Sequence, residues 1–303
     1  MNITGYTKQL CLIGNPVEHS LSPAMHNEAC RILNLDYVYT ALQVNEQDFP
    51  AAIRGLSAMH VSGFNVTMPG KKIAAGLVDE ISKEAALSAS VNTVVPKDGK
   101  LYGYSTDGYG FMQSLRDRGV DLKGEKLSVL GLGGAATAIC VQAALDGVKE
   151  IVIFRRKNSK WAEALSFADL LQAESSARVL IEDIEDDRLL QQHCRESRLL
   201  VNATSAGMKP QEDLLPIRDL SLLRKELFVY DVIYNPMETA FLKAAKAAGC
   251  STLNGIPMLI NQGAKAFEYF TGHEMPVREV TKAIFPNYLP TFNSVGEIPT
   301  SKF

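Results

Sequence analysis

The stretch that begins at Lys126 limits the fold most tightly. Lys-Leu-Ser-Val-Leu reads as a strand, runs directly into Gly131-Leu132-Gly133-Gly134-Ala135-Ala136, and continues into an apolar, helix-compatible segment that ends at Gly147. A strand, a glycine turn and a helix in this order form the phosphate-binding corner of a dinucleotide fold. Gly131 permits the tight turn, Gly133 lets backbone N–H groups approach a pyrophosphate, and Gly134 gives further room. Ala135 falls inside the same fingerprint. Ala136 is small enough for the helix to pack closely on the strand while its positive N-terminal end faces the phosphates. A bare pattern of this kind also occurs as an ordinary turn; the flanking strand and helix favour the dinucleotide.

The next strand, Glu-Ile-Val-Ile-Phe, ends at Phe154, about where an NAD site places an acidic residue on the ribose 2′-hydroxyl. Arg155, Arg156 and Lys157 stand there instead, and Glu163 is already in the following helix. Guanidinium groups suit a 2′-phosphate through charge-assisted, often bidentate hydrogen bonds, so these residues select NADP over NAD. A solvated basic loop is the competing reading.

At 303 residues the chain exceeds what one ordinary core supports, roughly 250 to 300 residues, and two domains are expected. From Leu10 short apolar runs alternate with amphipathic ones in a βαβαβ rhythm, which implies a parallel sheet covered by helices. Residues 91–105 differ: two extended runs meet at Asp98-Gly99, a hairpin dipeptide, and predict an antiparallel edge. A helix is expected from Thr106 or Asp107 to Gly119, a second αβ series from Lys126, and a last helix over 261–272 after the loop Asn-Gly-Ile-Pro-Met-Leu. The fold class is α/β with two domains. Residues 1–108 plus 255–303 form a mostly parallel αβ unit, and 109–254 form a Rossmann-like NADP-binding unit. The tail from Pro286 is expected to be irregular.

Charge and cysteine content exclude several functions. Thirty-one basic against 34 acidic residues leave a net charge of −3, which provides no field for polyanions, so nucleic acid is not an expected partner. Five scattered cysteines without a C-x-x-C pair argue against a disulfide framework and a structural zinc site, and fit a reducing cytoplasm. The N-terminal apolar run is too short for a signal peptide, and no stretch reaches the about 18 apolar residues of a membrane span. The five histidines show no metal-binding spacing, and no metal is expected. Oligomeric state is open from sequence, a homodimer included.

Three polar clusters occupy expected strand ends: Ser20-Leu21-Ser22-Pro23, 65–71, and Asn92-Thr93 with Ser105-Thr106-Asp107-Gly108. Loops at the carboxyl ends of parallel strands are where open α/β sheets bind ligands. Each also has a structural explanation: Ser22 as an N-cap before a first-turn proline, Thr106 or Asp107 as a cap, Lys71 as a surface residue.

Together, G-N-P-V-x-H-S-L-S-P, F-N-V-T-M-P-x-K, V-N-T-V, S-T-D-G, G-L-G-G-A, N-A-T-S-A-G-M, Y-D-V-I-Y-N-P and N-G-I-P-M-L-I-N-Q-G resemble the shikimate dehydrogenases and quinate/shikimate dehydrogenases, in order from about Ile13 to Gly272. The resemblance implies an NADP-dependent oxidoreductase that reduces 3-dehydroshikimate to shikimate, within aromatic amino acid biosynthesis by way of chorismate. The 1–108 plus 255–303 unit would bind substrate. Ser20 and Ser22 match hydroxyls that bind the substrate carboxylate, with Tyr234 assisting. Asn65, Thr67, Asn92 and Gln262 match residues that hold ring hydroxyls, and Lys71 and Asp107 match the catalytic pair. Gly131 to Ala136, Arg155 and Arg156 match the NADP site; Ala203, Thr204, Met208, Gly255 and Met258 lie in motifs lining the nicotinamide pocket.

Arg155-Arg156-Lys157 replaces the family's common Asn-Arg-Thr loop, and Ser105 replaces a usual Asn. Asn158 is neutral where quinate-using relatives often carry Asp, which disfavours NAD. A quinate/shikimate dehydrogenase is the neighbouring alternative, and a non-catalytic NADP-binding sensor the alternative of another class; intact Lys71 and Asp107 speak against the latter. Ketone reduction needs a proton on oxygen as hydride reaches carbon, so a Lys71 ammonium oriented by Asp107 serves as electrostatic catalyst and acid. Oxidation needs Lys71 neutral and is favoured by alkaline solution.

Overall fold

The computed structural model describes residues 3–288, so the expected irregular tail lies outside the described residues from 289 onward. Two six-stranded sheets account for the β structure. The first contains β1 (Lys8–Gly14), β2 (Tyr37–Gln43), β3 (Gly63–Val66), β4 (Glu80–Ile81), β5 (Thr93–Lys97) and β6 (Lys100–Tyr104) in the order β2-β1-β3-β5-β6-β4. β1 pairs in parallel with β2 and β3, whereas β5 is antiparallel to β3 and β6. The 98–99 hairpin forms as expected, with both residues at positive φ. It is not the sheet edge: the two-residue β4 adds outside β6 in parallel. So short a strand has no periodicity of its own to reveal it.

Alternation along β1 sends its residues into two cores. Leu10 and Leu12 join a cluster with Met25, Tyr39, Phe267 and Phe270, whereas Cys11 and Ile13 join Phe49, Phe64 and Val66 on the opposite face. A sheet buried on both sides needs helices on both sides. They are α1 (Ser22–Ile32), α2 (Phe49–Ala58), α3 (Lys71–Ala75) and α4 (Lys83–Ser88), joined by segments from the chain's end, α10 (Ile256–Thr271) and α11 (Val277–Ile284).

The second sheet is parallel throughout. Its strands are β7 (Lys126–Leu130), β8 (Glu150–Arg155), β9 (Arg178–Asp183), β10 (Leu199–Asn202), β11 (Phe228–Asp231) and β12 (Ser251–Leu253), ordered β12-β11-β10-β7-β8-β9. This is the doubly wound Rossmann order, with its reversal between β7 and β10. The helices that accompany it are α6 (Gly134–Leu145), α7 (Trp161–Glu174), α8 (Asp187–Glu196) and α9 (Ala240–Ala247).

Helix α5 (Asp107–Arg116) lies between the sheets and packs against both α6 and α10. Two glycines make this approach possible. A Cβ on Gly108 would meet the Ala138 carbonyl oxygen of α6 at 2.4 Å, and one on Gly110 would meet the Gln262 nitrogen of α10 at 2.6 Å. Phe111, Met112 and Leu115 of α5 join the core under the second sheet together with Met258 of α10, while Ile256, Ile260 and Phe267 of α10 join the first sheet's core. α10 also begins earlier than expected: Ile256 to Leu259, read as part of the loop Asn-Gly-Ile-Pro-Met-Leu, form its first turn, where a proline lacks nothing the helix needs. The five cysteines are buried and unpaired, and no helix among the described residues is long and apolar enough to cross a membrane.

His26 of α1 is 1% exposed, stacks on Tyr39 with ring centroids 4.3 Å apart, and sits beside Phe267 and Phe270. Its Nδ1 has no hydrogen-bond partner, and burial lowers its pKa to about 3. The neutral ring therefore stabilises the fold fully above the unfolded-state value near 6.5, and this stabilisation declines as pH falls from there towards 3, because only the unfolded chain takes up the proton. His26→Phe should lose less stability than the wild type between pH 7 and pH 5, by about 2 kcal/mol in urea melts. An identical loss in both proteins would contradict a neutral, buried His26.

Candidate active site

Residues from both ends of the chain converge at the carboxyl ends of β1 and β3. After β1 the chain turns through Val17, whose carbonyl accepts from the Ser20 N–H (3.0 Å), and the Ser20 hydroxyl accepts from the Ser22 N–H (3.2 Å). Ser22 is the first helical residue of α1 and not its cap; Leu21 occupies the cap position, and the Ser20 hydroxyl takes the first N–H of the helix. Thr67 follows β3, its N–H donating to the Ile13 carbonyl (2.9 Å), and Gly14 admits the Thr67 side chain where a Cβ would stand 2.2 Å from it. Lys71 opens α3 four residues after Thr67.

Asp107 is the first residue of α5. Its Oδ2 accepts from Lys71 Nζ at 2.6 Å, with both side chains about one-fifth exposed at 25% and 17%. Its Oδ1 accepts from Asn92 Nδ2 at 2.9 Å. Thr106 takes the cap position without a capping bond, because its hydroxyl instead accepts from Asn92 Nδ2 (3.0 Å) while its N–H donates to Asn92 Oδ1 (2.9 Å). The Asn92 amide is thereby held on both sides. Asn65 is similarly engaged: Nδ2 donates to the Asn92 carbonyl and to Thr93 Oγ1, both at 3.0 Å, and Oδ1 accepts from the Tyr39 hydroxyl at 2.7 Å.

These residues line one cleft of about 370 Å³. Ser20, Ser22, Asn65, Thr67, Lys71, Asn92, Asp107, Tyr234 and Gln262 all border it, as do Ala135, Gly255 and Met258. Every residue that the sequence associated with substrate or catalysis therefore comes together. The remaining cofactor candidates lie beyond the lining. Gly131, at φ +96°, puts the turn against the next loop, where a Cβ would stand 3.0 Å from Thr204 Cγ2 and 3.1 Å from the Ala203 carbonyl oxygen. Gly133 and Gly134 are exposed and a Cβ on either would meet nothing within 4 Å, while Ala136 in the first turn of α6 is fully buried. Met208 is 46% exposed.

The second unit's corner fits a dinucleotide phosphate group. α6 starts at an open glycine pair with no acidic residue in its first turn, so backbone donors and the helix dipole face space that an anion can enter. Arg155 stands beside this corner, since the Gly131 N–H donates to the Phe154 carbonyl (2.7 Å). Arg155 Nη2 donates to Asn158 Oδ1 (3.0 Å), but its buried Nε has no partner; Arg156 is exposed.

Sequence reasoning missed two supports of this site. Tyr39 sits in a strand of otherwise ordinary alternation, and burial keeps its phenol well above the ordinary range. Asp231 ends β11, fully buried; desolvation raises its pKa although it accepts from Asn202 Nδ2 (3.1 Å), the Ile233 N–H (3.1 Å) and Thr239 Oγ1 (2.7 Å). Asn202 Oδ1 in turn accepts from Thr204 Oγ1 (2.7 Å), so one carboxylate ties the Ala203-Thr204 loop to the segment that carries Tyr234. An acid closing the apolar run Leu-Phe-Val-Tyr was the available signal. Elsewhere, Glu150, His193 and Glu196 converge on the second sheet, but Lys126 Nζ occupies their centre at 2.8, 2.9 and 2.6 Å.

Comparison with known proteins places this geometry. Residues 12–94 match the model of the shikimate dehydrogenase substrate binding domain, and 255–285 match that of the shikimate 5′-dehydrogenase C-terminal domain. Shikimate dehydrogenase (NADP(+)) of Listeria monocytogenes is 47% identical over 285 residues, which cover 93% of this chain and 97% of the relative. The chain belongs to the shikimate dehydrogenase family. A solved shikimate 5-dehydrogenase from Listeria monocytogenes, in complex with shikimate and NAD, superposes with a TM-score of 0.92 at 45% identity over 94% of this chain and 99% of the other. Family architecture extends to a quinate dehydrogenase from Corynebacterium glutamicum in complex with NAD, with a TM-score of 0.83 at 29% identity over 92% and 99% of the two chains.

Proposed function

We propose that this family member is an NADP-dependent shikimate dehydrogenase that interconverts 3-dehydroshikimate and shikimate, with Lys71 and Asp107 as its acid–base pair. The observation that carries the reading is the 2.6 Å contact between Lys71 Nζ and Asp107 Oδ2 on the wall of a cleft that also presents Ser20, Ser22, Asn65 and Gln262. Residues 1–108 with 255–303 serve as the substrate unit, and 109–254 as the coenzyme unit; the two shared cores and the position of α5 between the sheets support this division.

The Ser20 and Ser22 hydroxyls bind the substrate carboxylate, with Tyr234 beside them. Asn65, Thr67, Asn92 and Gln262 hold ring hydroxyls. NADP is held by the Gly131–Ala136 corner, by Arg155 and Arg156 at the 2′-phosphate, and by Ala203, Thr204, Met208, Gly255 and Met258 around the nicotinamide. The coenzyme supplies the hydride carrier. In the reducing direction the Lys71 ammonium stabilises charge on the carbonyl oxygen and gives that oxygen its proton; in the oxidising direction neutral Lys71 takes the proton from the alcohol. Asp107 keeps Nζ directed into the cleft. A pair held this closely beside open hydroxyls favours an enzyme over a non-catalytic sensor.

Lys71→Ala should lower turnover about 10²-fold or more, the scale of a lost acid–base group, with a smaller change in KM for shikimate. Unchanged turnover in the folded variant would remove Lys71 from the mechanism. Arg155→Ala combined with Arg156→Ala should raise KM for NADP about tenfold or more and leave KM for NAD nearly unchanged. Equal changes for the two coenzymes would contradict a 2′-phosphate site. Assays of shikimate and quinate with each coenzyme test the reading itself: NADP-dependent oxidation of shikimate in preference to quinate is expected, and preference for quinate with NAD would assign the chain to the quinate-using branch.

A further inference from the structure

Thr93 touches no part of the cleft, yet it stands between the two asparagines that do. It is fully buried at the start of β5. Its hydroxyl accepts from Asn65 Nδ2 (3.0 Å) and donates to Asn92 Oδ1 (2.9 Å). The bonds on either side run in one sense. Tyr39 donates to Asn65 Oδ1, Asn65 donates to Thr93, Thr93 donates to Asn92, and Asn92 Nδ2 donates to Asp107 Oδ1, whose Oδ2 faces Lys71.

An amide can turn end for end, and a wrong turn of Asn92 would set its oxygen against the Asp107 carboxylate. The backbone sets the sense at each end, since the Asn92 carbonyl can only accept from Asn65 Nδ2 (3.0 Å) and the Thr106 N–H can only donate to Asn92 Oδ1 (2.9 Å). The Thr93 hydroxyl, accepting from one amide and donating to the other, joins the two, and each bond polarises its neighbour towards the negative end. We infer that Thr93 is a positioning residue for the catalytic pair: its hydroxyl ties the Asn65 and Asn92 side chains to one another, so that the Asn92 amide stays where it holds Asp107 against Lys71. This rests on the acid–base reading of that pair.

Thr93→Val keeps the shape and the β-branching of the strand residue and removes only the hydroxyl. Shikimate oxidation with NADP should show kcat reduced about tenfold, the scale of one lost hydrogen bond in the site. KM for shikimate should change less than kcat, KM for NADP should hold, and Thr93→Ser should restore most of the turnover. Turnover near wild type in Thr93→Val, or equal loss in Thr93→Ser, would overturn the inference, the latter because it assigns the effect to the methyl group. Crystal structures of both variants supply a second readout that needs no activity. The Asn92–Asp107 contact should be broken or lengthened in Thr93→Val and kept in Thr93→Ser; an unchanged contact in Thr93→Val overturns the role. Absence of shikimate turnover in the wild type would instead defeat the proposed function, with the crystallographic arm still deciding the positioning. Should Thr93→Val fail to fold, Tyr39→Phe removes the hydroxyl at the far end of the same chain. It should lower kcat in the same sense, and full turnover in it would count against the chain.

Discussion

The charge-assisted hydrogen bond between Lys71 and Asp107 is the contact around which the cleft is organised. Both residues open a helix, α3 and α5. A carboxylate at a helix N-terminus is favoured by the peptide dipoles, whereas an ammonium there faces the unfavourable end. Asp107 offsets that disadvantage for Lys71, and the Asn92 amide holds the carboxylate in place. The partners are 36 residues apart in the chain and meet only because α5 passes close to its neighbours. Gly108 and Gly110 permit that passage, so two positions without side chains help determine where Asp107 stands relative to Lys71.

Two buried polar arrangements support the cleft, the first joined to this contact through Asn92 and the second lying behind the loops of the other sheet. On the first sheet, Tyr39, Asn65, Thr93 and Asn92 satisfy one another across β2, β3 and β5. On the second, Asp231, Asn202, Thr204 and Thr239 tie the ends of β10 and β11 to the start of α9. Buried polar groups of this kind are costly unless paired, and when paired they specify one geometry. Their placement at strand ends follows from the topology: hydrophobic strand interiors build the cores, and polar residues can collect only where the strands stop. Substrate and coenzyme candidates therefore face each other across α5, α10 and the glycine corner of α6.

Much of this was legible in the sequence where the physics is local. The glycine corner has a fixed spacing because turn, phosphate approach and helix packing each require a small residue, and Gly131 and Ala136 take those roles. The cleft residues stood out as polar clusters at strand ends. What escaped notice depends on tertiary contact. β4 and β12, of two and three residues, exist only through pairing with neighbours. Ser22 had the composition of a cap, but the chain enters α1 one residue earlier. Residues 256–259 read as a loop, yet they form the first turn of α10, with Pro257 inside it. Tyr39 and Thr93 are unremarkable strand residues until the fold places amides beside their hydroxyls. Asp231 carried a signal, an acid in an apolar run, although its partners are distributed over three elements.

A crystal structure of the protein with NADP and shikimate bound tests the central claim most directly. The account predicts one ring oxygen of shikimate within about 3.2 Å of Lys71 Nζ, a normal hydrogen-bond length, with Asp107 still paired to that nitrogen and the shikimate carboxylate against Ser20 and Ser22. A bound shikimate whose ring oxygens all lie beyond about 4 Å from Nζ, outside hydrogen-bonding reach, would contradict it.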